Sequence, residues 1–190
     1  MTCIVGYVDK KTKQVYLGSD RGVFYGVDDA EFHVSSRPKI FKRTLNDGQD
    51  EFIMGASGDC RFGDILEEVD FNSLKVLEKE KKKVDKFLRA KFIPFLKAKF
   101  AAKKEKADFE ILIGIYGNIF VINDDWSVLD VPKTGFAIGA ASIPAKGSLY
   151  TSHKLNKSGR LKSERIVLLA LESSESNTTC CKAPFDILTI

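Results

Sequence analysis

The sequence predicts an α+β fold of four layers, an αββα sandwich in which two antiparallel sheets pack face to face and helices cover both outer surfaces. Three observations predict it. Short apolar runs rich in β-branched and aromatic residues alternate with helical patterns, in the order strands, two helices, strands, two helices, strand. Consecutive strands are separated by tight-turn sequences, which join antiparallel neighbours. The helical patterns arrive in pairs, which suits outer layers over a sandwich.

The elements follow in order. Cys3–Val8 and Gln14–Gly18 read as a hairpin around the polar turn Asp9–Lys13. Ser19–Gly22 breaks the second strand, and Val23–Phe32, dotted with Gly and Asp, reads as a loop or irregular strand. Pro38 holds Arg37 extended and Lys39–Lys42 continues as a strand. Asn46, Asp47 and Gly48 make a turn before the strand Glu51–Met54 and the small-residue stretch Gly55-Ala56-Ser57-Gly58. Asp59 is placed to cap a helix whose Phe62, Ile65, Leu66 and Val69 share one face. A longer helix runs from about Val84 to Ala102 with Leu88, Phe92, Phe95, Leu96 and Phe100 on one side, lysines on the other, and Pro94 where it can introduce a kink. Strands return at Phe109–Ile115 and Ile119–Ile122 around Tyr116-Gly117-Asn118, then at Trp126–Val131 and Phe136–Gly139. Helices at Ala140–Tyr150 and Ser163–Leu171 and a terminal strand Phe185–Ile190 complete the chain.

The 190 residues suit a single domain spanning 1–190, with no internal repeat or linker. Hydrophobic residues make up 44% and charged residues 29%, an ordinary globular balance. The opening residues lack the apolar core of a signal peptide, and no run approaches the roughly 20 apolar residues that span a bilayer, so the expected location is the cytoplasm and no membrane partner is expected. The net charge of +4 does not by itself call for nucleic acid. The lysine-rich stretch Lys75–Lys106 is interrupted by Glu78, Glu80, Asp85 and Glu105, as a solvated helix face would be. The four cysteines, Cys3, Cys60, Cys180 and Cys181, fit neither zinc spacing nor a secreted disulfide framework and read as small buried hydrophobes. Nothing sets His33 or His153 beside a serine or cysteine nucleophile. No cofactor or metal is expected.

Several short motifs, in order and at familiar spacing, carry a resemblance. Thr2-Cys3-Ile4-Val5-Gly6, Leu17-Gly18-Ser19-Asp20-Arg21, Lys39-Ile40-Phe41, Met54-Gly55-Ala56-Ser57-Gly58-Asp59, Phe136-Ala137-Ile138-Gly139-Ala140-Ala141-Ser142 and Pro184-Phe185-Asp186-Ile187 together resemble the proteasome β-subunit and HslV family of Ntn hydrolases over most of the chain. The resemblance implies a threonine endopeptidase in which Thr2, freed by loss of Met1, is the nucleophile and its own α-amine the base. It implies that Lys39 sits beside the Thr2 hydroxyl, that Asp20 pairs with Lys39 and that the Gly55 N–H faces the oxyanion, and it leaves Ser142 or a water to take the place of the serine that supports the amine. It further implies a homo-oligomeric ring acting on peptides or unfolded proteins, served by an AAA+ unfoldase.

The sequence departs from the family pattern at two positions. Ala140 stands where the pattern has its first serine, and Thr178 where it has a late aspartate, with Cys181 at the following serine position. These departures raise a second reading, a catalytically silent structural or assembly subunit of the same fold. The opening is also similar to the Met-Cys-Gly-Ile-Val-Gly start of glutamine amidotransferase domains, but Thr2 intervenes before Cys3, so methionine removal would not expose a cysteine amine.

Overall fold

The computed structural model describes residues 2–25, 31–100, 108–132, 134–156 and 159–190. Met1, the tip of the Val23–Phe32 segment, and the last two residues of the expected long helix lie outside them. Strands β1 (Ile4–Val8), β2 (Val15–Ser19), β10 (Phe136–Ile138) and β11 (Asp186–Thr189) form one antiparallel sheet in the order β10-β1-β2-β11. Strands β5 (Ile40–Leu45), β6 (Asp50–Gly58), β7 (Phe109–Ile115), β8 (Asn118–Asn123) and β9 (Val128–Asp130) form the second, antiparallel in sequence order. The short β3 (Gly22–Tyr25) and β4 (Glu31–Val34) pair only with each other.

Period-two alternation sorts the first sheet's side chains. Ile4, Val15, Leu17 and Ile138 meet Ile40, Ile53, Leu112 and Val121 of the other sheet. On the opposite face, Cys3, Val5, Tyr7 and Ala137 pack beneath α4 (Ser142–Leu155) and α5 (Ser163–Asn177). The far side of the five-stranded sheet is covered by α1 (Cys60–Glu68), α2 (Lys81–Phe87) and α3 (Ile93–Phe100). The layer order is therefore helix, sheet, sheet, helix, as the element order predicted.

The turns follow local chemistry. Asn46, Asp47 and Gly48 all adopt positive φ, a conformation these residues tolerate, and they join β5 to β6. Asp59 accepts the Arg61 N–H at 2.8 Å and caps α1. Pro94 does not produce an isolated kink. Instead one wide π-turn, Leu88–Phe92, joins α2 to α3, with the Ile93 N–H reaching back five residues to the Leu88 carbonyl. That register accommodates a ring that supplies no N–H.

Two features differ from the sequence reading. The small-residue stretch 55–58 belongs to β6 rather than following it, and it carries that strand along the Thr2 end of the sandwich. The segment between α1 and α2, without helical or strand periodicity, buries Phe71, Leu74 and Val76. Asn46 pins it by exchanging hydrogen bonds with the Val76 backbone at 2.8 and 3.1 Å. Phe71 stacks on Phe92 with centroids 5.2 Å apart and meets Phe52 edge-on at 5.3 Å. The phenylalanine-rich face of the long helix is thus core. Its lysine face is interleaved with carboxylates, Lys81 pairing with Asp130 at 2.5 Å and Lys83 with Glu78 at 3.1 Å.

Helix α5 lies close against β2 because residue 18 has no side chain. A Cβ on Gly18 would come within 2.4 Å of Val167 and 3.0 Å of Leu171. Gly18→Ala is therefore expected to lower unfolding free energy by about 1–3 kcal/mol through overpacking, read from the urea midpoint.

Candidate active site

Thr2, Asp20, Lys39 and Gly55 meet at one end of the sandwich. Thr2 lies two residues before β1 and is 8% exposed. The β1–β2 register, Ile4 opposite Ser19, carries Asp20 to the position opposite Cys3. There the Asp20 N–H donates to the Cys3 carbonyl at 3.3 Å, and the Cys3 N–H returns to Asp20 Oδ1 at 2.9 Å. Lys39 enters from the residue before β5, and its Nζ donates to the same Oδ1 at 3.0 Å and to the Gly22 carbonyl. Asp20 Oδ2 accepts the Gly22 N–H at 2.8 Å and the Lys182 N–H at 3.4 Å. The carboxylate has no exposure and the lysine side chain 11%. A buried charge pair of this kind is tolerated only when further hydrogen bonds satisfy it, and four donors converge here.

Gly55 pairs with Ile40 across β5 and β6, directly beside Lys39. A Cβ there would lie 2.9 Å from the Lys39 carbonyl oxygen and 3.0 Å from the Ile4 side chain, so glycine permits the close approach of β6 to the start of β1. Ser142 is the buried first residue of α4. From that side Gly139 and Ala141 touch Thr2. The Ala141 N–H donates to the Thr2 carbonyl at 3.3 Å, and Gly139, at φ +91°, packs so close that a Cβ would sit 2.2 Å from the same oxygen.

A cavity of about 410 Å³ opens at Thr2, walled by Val23, Lys39, Phe41, Ala56 and Gly58. Arg37, Asp59, Cys60 and Asp64 line its outer part. A larger groove of about 840 Å³, bordered by Lys10, Lys154 and His153, lies at the other end of β1 and shares no residue with the site.

The two departures from the family pattern have structural counterparts. Ala140 offers no hydroxyl. Thr178 ends α5, its Oγ1 donating to the Ser174 carbonyl at 2.9 Å and accepting the Cys180 N–H at 3.3 Å. Behind Thr2, the Cys3 thiol faces Ser174 Oγ at 3.5 Å. Donation to Cys3, together with burial, pushes the Cys181 thiol up. Cys3 and Cys181 are the buried thiols that the sequence suggested, whereas Cys60 is exposed at the start of α1 and Cys180 half-buried. Among the described residues, no group of three or more His, Cys, Asp or Glu side chains is placed to hold a metal ion. No helix among them is long and apolar enough to cross a membrane.

One participant was not legible in the sequence. Glu110, near the start of β7, accepts the Gly139 N–H at 2.9 Å and the Ser57 hydroxyl at 3.3 Å. It belongs to no motif, and only the β6–β7 register, with Ser57 opposite Glu110, could have marked it.

No protein-family model matches the sequence, and neither does any curated protein. Solved structures do match in shape. The chain is similar to Thiobacillus denitrificans BPH in complex with epoxomicin, with 15% identity, TM-score 0.73, and coverage of 100% of this chain and 98% of that one. It is similar to eukaryotic HslV from Trypanosoma brucei, with 16% identity, TM-score 0.68, and coverage of 100% and 98%. It is also similar to Anbu in its helical assembly from Pseudomonas aeruginosa, with 12% identity, TM-score 0.63, and coverage of 100% and 81%. At these identities the likeness is one of fold, and the fold is the proteasome-like αββα sandwich.

Two outcomes are expected from the packing at this end of the molecule. Asp20→Ala would leave the Lys39 ammonium without its carboxylate and lower unfolding free energy by about 3–5 kcal/mol in urea denaturation. Iodoacetamide would alkylate Cys60 first in the folded protein and reach Cys3 and Cys181 only after unfolding, as read by peptide mass mapping.

Proposed function

We propose that the protein is an N-terminal-threonine endopeptidase of the proteasome β-subunit and HslV type, with Thr2 as nucleophile once Met1 has been removed. The observation that carries this reading is the position of Thr2. It stands at the mouth of a cleft, its backbone held by the Gly139–Ala141 turn, immediately before the residue that shares the Asp20 carboxylate with Lys39.

The chemistry assigned to each group follows from its placement. A threonine hydroxyl attacks a carbonyl only when its proton is taken, and the freed α-amine, which ordinarily titrates at about 7.7–8.0, is a base suited to neutral pH. As the Thr2 Oγ bonds to the substrate carbonyl carbon, the hydroxyl proton passes to the amine and the carbonyl electron pair moves onto oxygen. The Gly55 N–H is the donor assigned to that oxyanion. Collapse breaks the C–N bond, the ammonium returns its proton to the departing amine, and water then hydrolyses the ester. Lys39, held in place by Asp20, supplies the positive charge that favours ionisation of the hydroxyl. Ser142 is assigned a supporting role behind the turn. No cofactor is assigned.

The substrate class is an extended peptide or unfolded protein, which the open cleft accommodates. We assign the working form to a homo-oligomeric ring, supported by the exposed apolar side chains Ile143, Tyr150 and Leu155 on α4, and its feeding to an AAA+ unfoldase in the cytoplasm.

A second reading is a silent structural or assembly subunit. It is favoured by the absence of a hydroxyl at Ala140 and by the engagement of Thr178 in ending α5.

Intact mass before and after incubation with a peptide epoxyketone separates the two, because that warhead needs both a free N-terminal amine and the threonine hydroxyl. The peptidase reading expects a chain lacking Met1 that gains one reagent and, as Thr2→Ala, gains none. A chain that keeps Met1, or loses it and never reacts, would leave the silent subunit.

A further inference from the structure

Glu110 has no part in the chemistry assigned above. It is half-buried on β7, with Ser57 of β6 on one side and Asn123 of β8 on the other. One oxygen, Oε2, accepts both the Gly139 N–H and the Ser57 hydroxyl. The point where a Gly139 Cβ would stand lies 2.2 Å from the Thr2 carbonyl oxygen, 2.9 Å from its carbon and 3.3 Å from the Ser57 Cβ. Glu110, Ser57 and Gly139 therefore form one group against the Thr2 main chain.

Among the described residues, no lysine, arginine or histidine forms an ion pair with Glu110. Lys39 Nζ donates to Asp20 and to the Gly22 carbonyl. A half-buried carboxylate that holds hydrogen bonds but no counter-charge is a ready partner for a cation arriving at the same place. Loss of Met1 creates one, the Thr2 α-ammonium. Ala140, beside Gly139, has no hydroxyl that could receive it.

We propose that Glu110 is a positioning residue for the Thr2 α-amine, its carboxylate receiving the ammonium and holding it on the Gly139 side of the Thr2 main chain. The inference rests on the reading of Thr2 as the amino-terminal residue. An adjacent carboxylate favours the protonated amine, and it stabilises the ammonium that forms when the amine takes the hydroxyl proton. Among the described residues, the charged groups at this end of the site include Asp20 after β2, Lys39 before β5 and Glu110 on β7. The thiols of Cys3 and Cys181 lie behind, and Arg37, Asp59 and Asp64 line the outer cleft. Removing the charge at Glu110 alone leaves all the others in place.

The test uses the chain beginning at Thr2, as wild type, Glu110→Gln and Glu110→Asp. Trace acylation of the α-amine by acetic anhydride is followed against pH and located by peptide mass. Glu110→Gln keeps an oxygen acceptor for the Gly139 N–H but loses the charge, and its acylation midpoint is expected about one pH unit below wild type. Glu110→Asp keeps the charge and is expected to hold the wild-type midpoint. A structural role alone would leave the Glu110→Gln midpoint unmoved, and equal midpoints overturn the proposal. Epoxyketone labelling of the same samples separates this inference from the reading beneath it. A shifted midpoint without an adduct sustains the Glu110 pairing and overturns the peptidase, whereas an adduct with equal midpoints does the reverse.

Discussion

The buried carboxylate of Asp20 is the constraint on which this end of the molecule depends. It gathers donors from four places in the chain: the Cys3 N–H ahead of β1, the Gly22 N–H at the start of β3, the Lys39 ammonium ahead of β5, and the Lys182 N–H after α5. A charge with no exposure persists only while its partners stay in place, and conversely it fixes them. Thr2 is thereby held by its neighbour Cys3 from one side, while the Gly139–Ala141 turn holds its carbonyl from the other. The Thr2 backbone has little freedom left. Under the peptidase reading proposed above, such preorganisation would lower the barrier of an attack that needs a fixed geometry.

Close approach is the second requirement, and glycines supply it at selected points. Without a side chain at Gly18, α5 settles onto β2 and brings the 178–185 segment, with Lys182, to Asp20. Without one at Gly139, the turn before α4 closes on Thr2, in a backbone conformation that other residues rarely adopt. The core behind these contacts is continuous. Ile4 packs between the sheets next to Ile40, so the strand that carries Thr2 and the strand that follows Lys39 share one apolar layer. Fold stability and site geometry are therefore coupled through the same residues.

Much of this was legible in the sequence. The alternating apolar run after Thr2, the Asn46-Asp47-Gly48 and Tyr116-Gly117 turns, the Asp59 cap and the paired helices are local signals, set by backbone preference and periodicity within a few residues. They were enough to give two antiparallel sheets between helical layers. The short motifs that hold Thr2, Asp20 and Lys39 beside strand ends, and Gly55 within β6, were visible in the sequence, and the β-sandwich brings these segments together. The phenylalanine pattern of the long helix likewise marked its buried side, since spacing alone decides which side chains share a helix face.

The remainder was decided by tertiary structure. The 69–80 segment has no period, and its burial depends on Asn46 some thirty residues away. The π-turn answers Pro94 only because the helix must continue over the sheet on both sides of it. The burial of Cys3 and Cys181 in one cluster required α5 to lie across β1 and β2. Glu110 reaches the site through a strand register that puts it opposite Ser57, fifty-three residues earlier, and below Gly139, twenty-nine later. The sequence by itself determined the layers and the ends of strands where chemistry could gather. Which side chains meet there depends on registers and close contacts between distant segments, interactions that no local pattern encodes.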